Sequence, residues 1–275
     1  MWTLSGFADE IDDDLETQCL LLGQLGLRYL EFRSAWGINV LDLADRELHE
    51  AEAILAAHDL QVSSIGSPIG KISITEPFEP HLERMRRALD VAELLRAPYL
   101  RLFSFFLPAG DDPARHRDEV LRRMAALTAE VGDRPVTLLH ENEKLIYGDV
   151  PSRCLEIVEA VDSDSLRLTW DAANFVQCGV RPHSAGYQLL RPYLEYIQVK
   201  DAVLGTGEVV PAGEGDGEVA ETLRALHADG FDGIFSLEPH LQQAGALGGF
   251  SGADQFARAH TAFVGLLHHE GIEYA

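Results

Sequence analysis

Thr137-Leu138-Leu139-His140-Glu141-Asn142-Glu143 is the stretch whose reading decides the fold. An apolar run behind Pro135 ends abruptly in acid, as a buried parallel strand does when its C-terminal end opens into a site. Three later runs end in a similar way. Leu166–Asp171 closes on Asp171, Leu194–Asp201 carries Gln198 and Lys200 at its end, and Gly233–Glu238 closes on Glu238.

Working outward, Thr3–Phe7, Arg28–Arg33, Gln61–Ser67 and Tyr99–Ser104 read as four earlier strands, and Pro135–Glu141 as the fifth. Helical patterns separate and follow them: Asp12–Leu25, Arg46–His58, Pro80–Leu95, Pro113–Glu130, Pro151–Val161, His183–Leu190, Gly217–Ala228 and Ala253–His268. Gly26, Gly132 and Gly230 stand where helices stop, Pro151 opens one, and Asp216 is a candidate N-cap. Strict alternation in units of roughly 25 to 40 residues predicts an α/β chain folded as one (β/α)₈ TIM barrel. A doubly wound open sheet is the rival that alternation alone leaves standing. No composition break or linker divides residues 1–275, and both architectures put the site at the strand C-termini.

Forty-five acids against 22 bases give a net charge of −23, which repels phosphate backbones and anionic membranes. Nucleic acid is therefore not an expected partner. No apolar run is long enough to span a bilayer. The N-terminal Met-Trp-Thr-Leu-Ser-Gly-Phe-Ala-Asp-Glu has neither the basic start nor the apolar core of a signal peptide. Cys19, Cys154 and Cys178 are odd in number and lack paired spacing, which points to reduced, buried thiols and a cytoplasmic location.

Strand parity sharpens the site. Side chains alternate faces along a strand. In three of the last four strands the apolar face opposes the acid or amide; the fifth is less clear. The apolar face should meet helices, so Glu141, Asp171, Gln198 and Glu238 should share one barrel mouth. Three converging carboxylates repel one another without a cation, and oxygen ligands suit Mg²⁺ or Mn²⁺. Such an ion polarises a sugar's carbonyl and neighbouring hydroxyl, while a carboxylate on each side of the carbon moves a proton. The competing reading is that these acids cap helices or pair with Arg.

His140-Glu141-Asn142-Glu143-Lys144, Asp171-Ala172-Ala173-Asn174-Phe175, Val199-Lys200-Asp201-Ala202, Pro211-Ala212-Gly213-Glu214-Gly215-Asp216-Gly217 and Leu237-Glu238-Pro239-His240 together resemble the xylose isomerase-like TIM barrels, which include sugar phosphate isomerases and epimerases. The resemblance begins at Phe7-Ala8-Asp9-Glu10 and runs to the last helix. It implies a divalent metal (Mn, Mg, Co or Zn) held by Glu, Asp, His and Glu from strands five to eight. Glu141, Asp171 and Glu238 match that set, but Gln198 stands where the family has His. A neutral amide oxygen is a weaker ligand than imidazole for transition metals. A weaker site, one suited to Mg²⁺ and a lost one are the alternatives. The resemblance also implies that Glu141 and Glu238 act as acid and base on a small sugar or polyol, in a homo-oligomer common among such proteins. An inosose-type dehydratase and a non-catalytic sugar-binding barrel are the other readings. An endonuclease IV-like site would need many more histidines.

Further candidates carry two readings each. Lys200 holds a substrate oxygen or pairs with Glu141 or Asp171. Lys71 meets a phosphate or carboxylate, or is solvated. Glu143 reaches substrate, or pairs with Lys144 or Arg181. Asn174 binds substrate or caps a turn. His240 is a substrate contact or a replacement metal ligand. His140, on the far face, is expected to make a structural hydrogen bond. Phe103, Phe105 and Phe106 are expected in the core, His268 and His269 in solvent. Gly213–Gly217 lacks the Lys-Ser/Thr of a P-loop and is expected to be a mobile cover.

Overall fold

The computed structural model describes residues 1–245 and 248–275, without the side chains of 243–245. Eight parallel strands form the central sheet: β1 Thr3–Gly6, β2 Tyr29–Phe32, β3 Gln61–Ile65, β4 Tyr99–Leu102, β5 Thr137–Glu141, β6 Leu166–Asp171, β7 Leu194–Val199 and β8 Ile234–Leu237. The hydrogen-bonded order runs from β1 through β8 and back to β2. β1 and β2 lie side by side without a ladder, so the barrel is nearly closed. This excludes the open doubly wound sheet.

Helices α1 Leu15–Gln24, α2 Asp45–Ala57, α3 Glu79–Leu94, α4 Arg117–Ala129, α5 Pro151–Val161, α6 Ala172–Gln177, α7 Pro182–Leu190, α8 Val219–Ala228 and α9 Ala253–His269 surround it. Local chemistry explains several starts. The Asp14 carboxylate accepts from Thr17 N at 2.9 Å, and Pro80, Pro151 and Pro182 each occupy a first turn. Asp171 ends β6 and caps α6, accepting from Asn174 N at 2.8 Å. That short helix escaped the sequence reading because six residues are too few to show a period.

Asp216 does not cap α8: Glu218 holds that position, and Asp216 Oδ2 accepts from Leu204 N at 2.8 Å. Gly213–Gly217 is not a free cover. Its Gly213, Gly215 and Gly217 amides donate to the Asp201 carboxylate at 3.0, 3.1 and 2.8 Å, tying the loop to the end of β7.

The outward strand face carries the apolar core. Leu30, Phe32, Leu100, Leu102, Leu138, Leu168, Trp170, Phe235 and Leu237 are all buried there. Phe235 packs between Trp2, stacked at 4.3 Å, and Phe263 of α9 at 5.8 Å between ring centroids. Phe103 and Phe105 are fully buried, whereas Phe106 is only partly so. His140 also faces outward and is fully buried, but both ring nitrogens lack a hydrogen-bond partner among the described residues. The expected structural bond is therefore absent among the described residues; the ring packs instead against Gly148, where a Cβ would stand 2.4 Å from His140 Cε1. Burial pushes the imidazole down to about 3.

Candidate active site

The inward face is largely polar, with Leu139 among its apolar exceptions. Deep in the barrel, Ser63 Oγ lies 2.7 Å from Ser5 Oγ and 2.9 Å from the Tyr196 hydroxyl. Towards the C-terminal mouth the hydroxyls give way to charge. Glu141, Asp171, Gln198, Lys200 and Glu238 are all buried there, as are Glu31, Arg33 and Arg101.

These charges are paired closely. Arg101 Nη1 donates to Glu141 Oε2 at 3.0 Å and reaches Glu238 Oε1 at 3.4 Å. Arg33 Nη1 donates to Glu238 Oε1 at 3.1 Å, and Arg33 Nε to Asp9 Oδ2 at 2.7 Å. Lys200 Nζ stands 2.8 Å from Asp171 Oδ2 and 3.0 Å from Glu238 Oε2. Glu238 thus meets three cations, whereas Glu141 meets Arg101 and the Asn174 amide, which donates at 3.2 Å. The two carboxyls respond differently. Burial outweighs Arg101 and pushes Glu141 up to about 8; Glu238, equally buried, is held well below the usual carboxylate range by Lys200.

The surroundings hold these groups in place. Asn142 Nδ2 donates to Asp171 O at 2.8 Å and its Oδ1 accepts from Asp171 N at 2.9 Å, locking the ends of β5 and β6 together. Lys71 lies over the Phe103 ring at 4.2 Å and pairs with Glu143 at 3.3 Å; Lys144 meets the other Glu143 oxygen at 3.4 Å. Lys71 is therefore not solvated, and Glu143 binds both lysines rather than Arg181.

Among the described residues, two groups of side chains bring possible metal-ligand atoms within 4.8 Å of one another: Glu141 with Asp171 and Glu238, and Glu10 with Glu238 and His240. The first is the carboxylate part of the set that the family resemblance implies. As arranged, it does not fit an ion. Lys200 occupies the space between Asp171 and Glu238, and Arg101 bridges Glu141 to Glu238. Gln198 turns aside: its Nε2 donates to Glu31 Oε2 at 3.0 Å.

Arg33, Arg101, Glu31, Asp9 and Glu10 were not singled out from the sequence as site residues. The parity signal existed for three of them. Glu31 and Arg33 are two apart at the end of β2, and Arg101 sits on the inward face of β4, but parity was followed only in the last four strands.

A family model described as xylose isomerase-like TIM barrel matches residues 20–258. A 2-epi-5-epi-valiolone 7-phosphate 2-epimerase from an Actinoplanes species is 32% identical over 159 residues, 58% of this chain and 55% of that protein. The match thus spans about half of that relative's length. Among solved structures, a D-tagatose 3-epimerase-like protein superposes with a TM-score of 0.79 at 14% identity, covering 98% of both chains. A xylose isomerase-like protein from Mycobacterium smegmatis, in complex with magnesium, has a TM-score of 0.68 at 20% identity, covering 97% of both chains. No helix of the described residues is long and apolar enough to cross a membrane.

Proposed function

The chain belongs to the xylose isomerase-like TIM barrel family, and from that premise we propose that it is a sugar or sugar-phosphate epimerase or isomerase that moves a proton beside a carbonyl. One observation carries the reading. Glu141 and Glu238, from different strand ends, converge on one guanidinium nitrogen, Arg101 Nη1, at 3.0 and 3.4 Å, with Lys200 alongside. The match to a cyclitol-phosphate epimerase supports the substrate class.

Glu238 is the base, because Arg33, Arg101 and Lys200 keep it ionised. It removes the proton from the carbon next to the substrate carbonyl. The C–H electrons form a carbon–carbon double bond, and the carbonyl electrons pass to oxygen as an enediolate. Lys200 and Arg101 are preorganised cations for that negative oxygen, in a site shielded from water. Glu141, the carboxyl pushed up by burial, returns a proton to the opposite face and gives the epimer. Return of the proton to the former carbonyl carbon, with the hydroxyl proton passing to the former carbonyl oxygen, gives the isomer instead. Glu143, Asn174, His240 and Lys71 are the proposed substrate contacts: Asn174 meets Glu141, His240 stands 3.3 Å from Glu238, and Lys71 pairs with Glu143. Asn174 also orients Glu141. The fourfold set Glu141, Asp171, Gln198 and Glu238 is not given an ion in this scheme, since Lys200 and Arg101 already supply the positive charge. A cytoplasmic setting accords with the unpaired Cys19, Cys154 and Cys178, of which the first two are buried and Cys178, contrary to expectation, only partly so.

The test is proton exchange. Ketohexoses and cyclitol ketones, free and phosphorylated, are incubated with the protein in D₂O and followed by NMR. We expect deuterium at the carbon beside the carbonyl of at least one substrate, and a rate about 10³-fold lower in Glu238→Gln. Absence of exchange across the panel, or full exchange in Glu238→Gln, would reject the reading.

A further inference from the structure

We propose that Phe7 and Phe103 are positioning residues for the proton transfer: their ring faces hold in place the cations Arg33, Arg101 and Lys71, which meet the carboxylates of the site. The role rests on the reaction proposed above. Rings and cations alternate across the barrel mouth. The guanidinium carbons of Arg33 and Arg101 lie over the Phe7 ring, 4.6 and 4.7 Å from its centroid. Arg101 also lies over the Phe103 ring, at 5.0 Å, and the Lys71 ammonium stands over that second ring at 4.2 Å. Each cation meets acid as well: Arg33 meets Asp9 and Glu238, Arg101 meets Glu141 and Glu238, and Lys71 meets Glu143.

Hydrogen bonds alone do not fix Arg101. Its Nη1 serves both glutamates, while its Nε is buried with no hydrogen-bond partner among the described residues. Arg33 and Arg101 also bring two positive charges to one oxygen, Glu238 Oε1, in a place closed to water. Like charges this close repel. The negative face of an aromatic ring offsets that repulsion, and it attracts a desolvated cation more strongly than an exposed one. Guanidinium groups stack on such faces, and stacking sets the plane in which their donors lie. For Arg101 that plane decides whether a donor meets the oxygen that becomes negative in the reaction.

Ordinary core packing does not account for these rings. Both are fully buried, yet neither is part of the continuous apolar core of the described residues, which takes in Phe105, Phe235 and Phe263. The backbone around them is shaped to seat them. Phe7 N donates to Leu237 O at 2.9 Å, one residue before Glu238. Gly66 leaves room for ring and arginine together: a Cβ there would stand 2.7 Å from Phe7 Cε1 and 3.0 Å from Arg33 Cβ. Phe103 N donates to Ile69 O at 2.8 Å. Gly70, at a φ of +88°, passes so close that a Cβ would stand 1.9 Å from Phe103 O. The loop that carries Lys71 is thereby tied to the residue whose ring Lys71 covers.

The test weakens the ring face and leaves its shape nearly alone. In the full chain, Phe7, Phe103 or, as a control, Phe235 is replaced by phenylalanine carrying one, two or three ring fluorines, which withdraw negative charge from the face. Phe235 packs against Trp2, Phe231 and Phe263. Exchange in D₂O is followed on the best substrate of the panel. We expect the rate to fall stepwise with each fluorine at Phe7 and at Phe103, about tenfold at three, with the loss in kcat rather than KM. The rate should not change at Phe235. A flat series at either ring, or an equal fall at Phe235, would overturn the role. A second readout needs neither turnover nor a variant: the Arg101 Nε proton should resonate upfield of its ordinary position, because it lies over ring faces. An ordinary position would remove the stack itself. No exchange by the unmodified protein rejects the proposed reaction and the role with it, whereas exchange with a flat series rejects the role alone.

Discussion

On the outward face of the barrel strands, Leu100, Leu138, Trp170 and Phe235 meet helices and are closed to solvent; one residue along, Arg101, Leu139, Asp171 and Ser236 face the barrel axis. The two faces are equally dry and chemically opposite. Barrel interiors of this fold are ordinarily filled by bulky branched apolar side chains. Here the interior is largely hydroxyl at its base and ionic at its mouth. Burial on the outer face contributes stability through apolar area and close packing. Burial on the inner face removes charges from water, a cost offset only while each keeps its partner.

The sharpest way to break that contrast is to strand a charge inside. Lys200→Met leaves Asp171 without its ammonium and Glu238 with one partner fewer. We expect a stability loss of about 3–5 kcal/mol in denaturant titration. Adding Asp171→Asn should recover most of it, because the uncompensated charge goes too. If the double variant is no more stable than the single, the loss is one of packing and the two faces obey the same rule.

The matching change outside is Phe235→Ala. It empties the space between Trp2 and Phe263 and should cost about 3–5 kcal/mol by the same titration. No second polar substitution should rescue it, and exchange activity per folded molecule should stay near the wild-type value. A large fall in that activity would show that the shell also sets the mouth's geometry.

The smaller effect concerns pH. His140 belongs to the outer face, and its buried imidazole is held down at about 3 against an ordinary 6.5. A depressed folded-state value means no penalty above pH 6.5. As pH falls below it, the unfolded chain takes up a proton that the folded chain refuses, and stability is lost until about pH 3. We expect the melting temperature of His140→Leu to fall less between pH 6.5 and 4.5 than that of the wild type, by the equivalent of about 1–3 kcal/mol. Parallel slopes in the two proteins would remove His140 as the cause.

The strand ends at Glu141, Asp171 and Glu238 were readable because alternation has a period of two along the chain, so a run such as Leu166–Asp171 declares its own inner face. The eightfold alternation of strands and helices was readable for the same local reason. Hairpins such as Asp201–Ala202 with Val209–Val210 were not, since strands that short carry no period.

What the sequence by itself determined, then, is the eightfold alternation of strands and helices and the shared face of Glu141, Asp171 and Glu238, because both follow from spacing between near neighbours. That the sheet closes into a barrel was decided in three dimensions. Tertiary structure alone decided which charge meets which. Arg33 and Glu238 are 205 residues apart, and Glu10 and Ser251 are 241 apart. Closing the barrel puts β2 and β8 on either side of β1, and only then does Arg33 reach Glu238 and Glu10 face His240. The same closure places Lys200 between Asp171 and Glu238, where the sequence pattern had called for a metal. Pair energies between charges depend on distance and burial in space, and neither is written in the order of residues along the chain.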